Sequence, residues 1–520
     1  MTPEERAEIV GSVAMLQGQL EALVVRGVRA AGGDDLKQLA ALHEELGRIG
    51  AAYLGGRIGE LIGHARTGDP KATAALCGAQ TALRVFDRVL TLHAAREQLA
   101  ADAGANAGDD DDGGDEASAG VAGPVGTAAT AVAPPPLAPP KLEDRAGLLP
   151  MLAELASTVE SLIATGLSTA SAATRQKLDV SFKEASRRKL PRLGAMLRYV
   201  NEELGRFVAD ASAFSAKRYA FFLHRSWMLA RGLHEAIRKD DAPSIARVLM
   251  TREPEMVRRF EAIVLGVGKR VQADGGCSFE FRMRSVGGDL PAGTPIVWSC
   301  VFPPKQGVPA EAYLHLPQPQ KFAPKLLLDR AVYAISECAI SRGEPGGGVR
   351  LMLGPKSTVA AKGRCADWEP HLATDWAAIR ARAAAHRVSP LELDVELQEA
   401  VVLRDWQVGA PEQRDDDKLA YPIAADGRQL VVLASRGPSD AELIAALDAA
   451  RKPAKGKAKG KQPAAAAPAR GPLFGLMHYE RCQLVLQPLA IFGDDGPAYI
   501  TISQDKISVS TLVSSLDFRA

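Results

Sequence analysis

The residues with the most chemical potential in this chain are nine histidines, six cysteines, two glycine-rich stretches and the aspartate run Asp415–Asp417. Two imidazoles on one helix face need the spacing HxxxH or HExxH. His43, His64, His93, His224, His234, His315, His371, His386 and His478 offer neither. Cys365 and His371 lie six apart, with no second pair to complete a zinc site. No two of Cys77, Cys277, Cys300, Cys338, Cys365 and Cys482 form CxxC, and six are too few to staple 520 residues, so they read as reduced thiols. Gly346–Gly348 and Gly354–Pro355–Lys356–Ser357–Thr358 carry the letters of a phosphate loop without its GxxxxGK[ST] spacing, and read as turns. Asp415–Asp417 lacks the glycine and closing glutamate of a calcium loop, and no GxSxG elbow appears. These readings assign no catalytic residue, no metal ligand and no cofactor. The expectation is a protein that is not an enzyme, and a site assembled only in three dimensions is the enzymatic reading left open.

Charge gives a second kind of candidate. Lys and Arg number 63 against 62 Asp and Glu, a net charge of +1, which excludes a globally basic nucleic-acid binder. Locally the balance differs. Ser181–Phe260 holds 17 Lys and Arg against 9 Asp and Glu, whereas Met1–Asp102 holds 11 against 13. Arg187, Arg188, Lys189 and Arg192 lie within two helical turns, and Lys217, Arg218, Arg225 and Arg231 recur along another helix. These eight residues form the candidate interaction patch. A phosphate-facing surface, a dock for an acidic protein and a solvated face all fit them. Tyr219, Phe221, Phe222 and Trp227 beside them have helical spacing, which suits a core better than a base-stacking platform.

The elements that must position these residues are punctuated by two linkers. Residues 103–146 contain GDDDDGGDE and VAPPPLAPP and have few large apolar side chains to offset ordering entropy, so the reading is a disordered acidic and proline-rich tether. Residues 451–470 carry seven basic residues and no acidic one, a basic Lys/Gly/Ala/Pro linker. Residues 1–102 read as a helical unit. Leu16, Leu20, Leu23, Val24 and Val28 make one apolar face, and Leu39, Leu42, Leu46, Ile49 and Tyr53 another. Residues 147–270 repeat that layout: Glu21, Leu23, Gly27, Leu39 and Leu54 recur 139 positions later as Glu160, Leu162, Gly166, Leu178 and Leu193. The expectation is one three-helix unit used twice, the second copy basic.

From Cys277 the period changes to two. CSFEFRMRSV, TPIVWSCVF, AYLHLP, GVRLMLG, Glu396–Trp406, Gln429–Ala434, CQLVLQPLAIF, AYITIS and KISVSTLV read as strands, while Arg330–Ser341 is ambiguous. Asp375–Arg387 and Ser439–Ala450 read as helices, the second with a Ser439/Glu442 capping box. Residues 271–450 are expected to form a β-rich domain, completed after the basic linker by strands in 471–520. The fold class is therefore α+β and multidomain: two related N-terminal helical units, then a mainly antiparallel β half with short helices. No apolar run nears the roughly 20 residues of a membrane span, and MTPEERAEIV is no secretory leader, so the expected compartment is the cytoplasm.

Three stretches carry a family likeness. They are Thr158–Leu233 (TVESLIATGLSTA, KLPRLGAMLRYV, YAFFLHRSWMLARGL), the strand block Phe279–Ser341, and Asp375–Phe492 with its ADGR turn and closing GLMHYERCQLVLQPL. Together they resemble the non-zinc part of bacterial SWIM zinc-finger proteins, which are encoded beside MoxR-type AAA ATPases and von Willebrand factor A-domain proteins. The CxC and CxH pairs of the finger are absent here. The resemblance implies a non-enzymatic adaptor or scaffold with an AAA ATPase and an A-domain protein as partners. The alternative is a nucleic-acid-binding module using the basic helical unit and basic linker. No membrane association is expected.

Overall fold

The first helix starts where local chemistry requires. Thr2 Oγ1 accepts from the Glu5 amide at 3.1 Å, and the Glu5 carboxylate accepts from the Thr2 amide at 2.8 Å, a reciprocal cap with Pro3 in the first turn. The computed structural model describes residues 2–105, 142, 144–209, 212–249, 254–271, 276–303, 308–317, 322–344, 348–388, 397–415, 417–437, 439–451 and 471–503. Most of both proposed linkers and the Lys506–Val513 strand lie outside the described residues. Nine helices precede the first strand among the described residues: α1 (Pro3–Arg26), α2 (Gly33–Arg48), α3 (Ala52–Thr67), α4 (Ala72–Ala105), α5 (Arg145–Thr165), α6 (Ala172–Arg187), α7 (Pro191–Val208), α8 (Ala216–Arg238) and α9 (Ala242–Leu249).

The chain divides into two compact units. The first contains α1 to α3, α4 as far as Thr91, and α5 to α9. Its repeat is visible element by element. Helix, glycine, one 3-10 turn, helix, helix occurs as α1, Gly27, Val28–Ala30, α2, α3, and again as α5, Gly166, Leu167–Thr169, α6, α7. Gly27 and Gly166 both have positive φ, 94° and 73°. They face each other: a Cβ on Gly27 would sit 2.4 Å from the Thr165 carbonyl carbon, and one on Gly166 2.2 Å from that of Arg26. Only glycine permits that conformation and that approach together. The two copies share one core, in which Leu16, Leu20 and Leu23 of α1 join Leu155, Val159 and Leu162 of α5. Among the described residues the first copy has four helices and the second five, where each reads as three in sequence. Gly50 turns the chain at φ 72°, so the pattern from Leu39 to Tyr53 is split between α2 and α3 and Tyr53 points to solvent. By length and composition α1 and α5 could cross a membrane, but their leucines fill this core.

The second unit begins within α4, at Leu92. The first helical unit therefore does not end at residue 102 as a separate body. Ala95 and Leu99 are buried in a core of the β half, and Arg96 donates to the carbonyls of Ala383 and His386, each at 2.9 Å. The second boundary also moves. The helical repeat stops at Leu249, and the stretch up to 270 is mostly β1 (Glu255–Val271). Val257, Phe260 and the Ala262–Val267 run are buried in a β core, and an apolar run of that length fits a two-sided strand as well as a helix.

Two closed barrels make up the β half. The first uses β1, β2 (Cys277–Gly288), β3 (Pro295–Phe302), β4 (Ala331–Glu344), β5 (Gly348–Met352) and β6 (Thr358–Arg364). β1 pairs with β2, β2 with β3, β3 with β5 in parallel, β5 with β4, and β4 with β1. β6 continues the line of β5 along β4. The ring is a five-stranded Greek-key barrel of the OB type. AYLHLP, expected as a strand, forms instead a 3-10 segment (Ala310–His315) between β3 and β4. Its consecutive Ala312, Tyr313 and Leu314 are all buried, which an alternating strand does not allow.

After helix α10 (Trp376–Ala385), capped by Asp375, the order recurs. β7 (Gln398–Leu403) and β8 (Gln407–Val408) are two halves of one first strand, bent at Asp405 with φ 49°. β9 (Glu412–Asp415) borders β10 (Lys418–Ala425), followed by β11 (Arg428–Ser435), helix α11 (Ala441–Arg451), β12 (Leu473–Glu480), β13 (Gln483–Gly493) and β14 (Gly496–Tyr499). β8 pairs with β10, β10 with β11, β11 with β13 in parallel, β13 with β12, and β12 with β7. α11 starts at Ala441, so Asp440 rather than Ser439 precedes it, and Glu442 reaches Lys269. AYITIS is a strand only as far as Tyr499. The outer faces of the barrels pack together, with Gly266 of β1 leaving room for Phe474 and Leu489. A Cβ there would lie 2.7 Å from both.

Candidate functional site

The eight basic residues of the candidate patch all lie in the first unit, and the fold engages most of them internally. Arg187 and Arg188 both bind Glu184, at 2.7 and 2.5 Å, and hold its carboxyl down at about 2. Arg188 also reaches Asp144 at 3.0 Å. Lys189 is an exposed residue of positive φ just past α6. Arg192 donates to the carbonyls of Arg247 and Val248 at the end of α9, at 3.3 and 2.9 Å. Arg218, with Arg206, binds the buried Glu203. Arg231 and the Trp227 indole share Glu160, at 2.6 and 2.8 Å. Arg225 is buried. Lys217 is exposed beside Arg218. Arg187 and Arg188 come together at Glu184, while Arg192, Arg218 and Arg231 each serve a different partner.

Arg225 belongs to a buried polar cluster that the sequence did not reveal. Arg84 of α4 lies 4.4 Å from the centre of the Phe221 ring, and Arg225 lies 6.0 Å from it. Burial lowers Arg84 to about 10. Burial, with Arg192 and Arg84 nearby, lowers Arg225 to about 9. His224 beside them is buried; its Nε2 lies 3.1 Å from the Cys77 carbonyl and 3.0 Å from Thr81 Oγ1. Burial first, and the Arg84 charge second, push its pKa down to about 3, so the ring is neutral. With Nε2–H donating to Cys77, Nδ1 is an acceptor with no partner among the described residues.

In the second unit, alternation along β2 places Phe279, Phe281 and Met283 inside the first barrel and Glu280, Arg282 and Arg284 outside it. This outer face and the flank of the second barrel enclose a cleft. Arg282, Arg284, Pro295 and Val297 line one side; Gln398, Ala400, Phe474 and Leu476 line the other. Arg282 binds Glu280 at 2.5 Å and donates to Gln398 Oε1 at 3.0 Å. Arg284 donates to the His371 carbonyl at 2.8 Å, and among the described residues no carboxylate pairs with it. Burial pushes its pKa down. The alternation that sets both arginines outward was readable in CSFEFRMRSV; the second barrel that walls them in was not.

The second barrel has an open face of another kind. Tyr421, Ile423, Leu430 and Val432 point into its core. Their neighbours Pro422, Ala424, Val431 and Leu433 face outward and are half-buried, with Gln429 exposed and Lys418 at one end. In OB-type barrels this strand pair is the ligand face.

All six cysteines are buried, and none forms a disulfide. Among the described residues no three His, Cys, Asp or Glu gather as a metal site. Gly354–Ser357 is a turn in which Ser357 Oγ donates to the Glu337 carbonyl at 2.6 Å.

No family model and no curated protein matches the chain. Among solved structures, the chain is similar to one titled as a murine DNA binding protein bound with ds DNA, at 10% identity, covering 48% of this chain and 97% of that one, with a TM-score of 0.20. It is also similar to the tetrameric p202 HIN2, at 8% identity, covering 46% and 97%, with a TM-score of 0.19. Likeness this slight assigns neither a fold nor a ligand to this chain.

Proposed function

We propose that this protein is a non-enzymatic adaptor whose second barrel holds a protein partner on the outer face of β10 and β11. The observation that supports this most is the make-up of that face. Pro422, Ala424, Val431 and Leu433 offer apolar contact, with one lysine and no aromatic ring. A strand pair of this kind suits a peptide or protein surface better than a nucleic acid, which calls for basic and stacking side chains. The resemblance to SWIM-associated scaffolds supplies the partners: a MoxR-type ATPase and an A-domain protein, in the cytoplasm. The test is affinity purification of the tagged protein from its host at moderate salt, with and without nuclease, followed by mass spectrometry. Recovery of an AAA ATPase or A-domain protein irrespective of nuclease is expected, with at least a tenfold loss in Val431→Glu/Leu433→Glu. Repeated failure to recover either partner overturns the reading.

A second reading, a nucleic-acid-binding module, is favoured by one observation: OB-type barrels commonly bind oligonucleotides, and the segment between α11 and β12 is rich in lysine. It requires binding to a labelled single strand that weakens steeply with salt. A flat salt response removes it.

A further inference from the structure

The cleft between the two barrels holds a cation, Arg284, that no carboxylate pairs with among the described residues. Arg282 is matched by Glu280 and fixed by Gln398. Arg284 has a carbonyl, the His371 oxygen, as its acceptor. A carbonyl satisfies one N–H of a guanidinium that carries five. The remaining walls are apolar or amide: Pro295, Val297, Ala400, Phe474, Leu476 and the Gln398 side chain. A half-buried guanidinium against such walls has lost much of its hydration, and a small anion restores what the protein does not supply. Gln398 adds a second donor group. Its Oε1 accepts from Arg282, so its amide N–H pair lies on the other side of the group. The open space is about 30 Å3, room for about two waters at 10–15 Å3 each. That space suits a small oxyanion head group.

From this geometry we propose that the inter-barrel cleft is an oxyanion site, in which Arg284 and Gln398 hold a single phosphate or carboxylate head group of a small molecule. The proposal is independent of the adaptor reading. Because Arg284 belongs to the first barrel and Gln398 to the second, a bound anion also ties the barrels together. Binding to the folded state alone raises thermal stability by mass action.

Calorimetric titration of the full chain with inorganic phosphate, and separately with acetate, tests this. The chain is kept in low chloride, and thermal unfolding is followed in parallel. Saturable binding of phosphate or of acetate, with a raised midpoint, is expected, and the stronger of the two identifies the head group. Arg284→Gln should weaken binding by at least about tenfold, and Arg284→Lys by less, because lysine keeps the charge and loses the fork. Gln398→Glu keeps the shape of the cleft and adds a negative charge, and should abolish binding even if Arg284→Gln folds poorly. Arg364→Gln, which removes a surface ion pair with Asp495, should leave binding unchanged. Absence of saturable binding of both anions, or unaltered binding in both Arg284→Gln and Gln398→Glu, overturns the proposal.

Discussion

His224 shows how one side chain sets a pH response. Its pKa in the folded chain is about 3, against 6.5 for the ordinary side chain. The unfolded state therefore binds the extra proton below pH 6.5, and stability rises with pH across that window. Contribution from His224 is fully present above about pH 6.5 and is lost, at up to about 1.4 kcal/mol per pH unit, as pH falls towards 3. Thermal unfolding between pH 7 and 5 should show this slope, and His224→Gln should flatten it. Lys269 is a second case. It is buried with Glu311 at 2.7 Å and reaches Glu442 of α11 at 3.4 Å, joining an end of the first barrel to the helix of the second. Lys269→Met leaves Glu311 buried without its cation and should cost about 3–5 kcal/mol. Adding Glu311→Leu should recover a good part of that loss, read from denaturant midpoints. Neither residue announced its role in the sequence. A lone histidine on an apolar helix face and a lysine in a strand carry no signal of burial until the packing is known.

At the scale of elements, Gly27 and Gly166 mark where one copy of the helical repeat meets the other. Each has a backbone conformation that other residues adopt with strain, and each lies against the other's backbone. Gly166→Ala should therefore destabilise the chain by on the order of 3 kcal/mol, combining the left-handed penalty with a forced separation of α1 and α5. Gly47→Ala, in an α2 position where a Cβ meets nothing within 4 Å, should be neutral or slightly stabilising. The repeat itself could be read from order and offset, because matching apolar positions survive when side chains drift. The number of helices per copy could not. Gly50 breaks an apolar pattern that the three-and-four spacing carries straight through. The strands were legible where one face is buried, as in β2, and misread where burial is contiguous. Ala310–His315 and the Ala262–Lys269 run of β1 both have consecutive buried residues, which erase the period that distinguishes strand from helix.

At the scale of the whole molecule, the two units have separate cores, and α4 contributes to both. Calorimetry should resolve more than one transition. Acidification is expected to move the transition of the helical unit, through His224. Phosphate or acetate is expected to move that of the β unit, through Arg284. A single transition displaced by both would show that the units unfold as one.

Residue order alone determined the fold class, the duplication, most strand positions and the outward alternation of Arg282 and Arg284, since these depend on local periodicity. It also determined that charge is concentrated in the second helical copy. Whether that charge is available was decided only by tertiary structure. Glu203 and Glu160 lie on other helices than Arg218 and Arg231, and their meeting depends on how the helices pack, whereas Glu184 meets Arg187 and Arg188 locally, three and four residues along the chain. Barrel closure was likewise a tertiary matter. Strands β3 and β5, or β11 and β13, become parallel neighbours only after the chain has circled the barrel, a long-range pairing with no trace in local sequence.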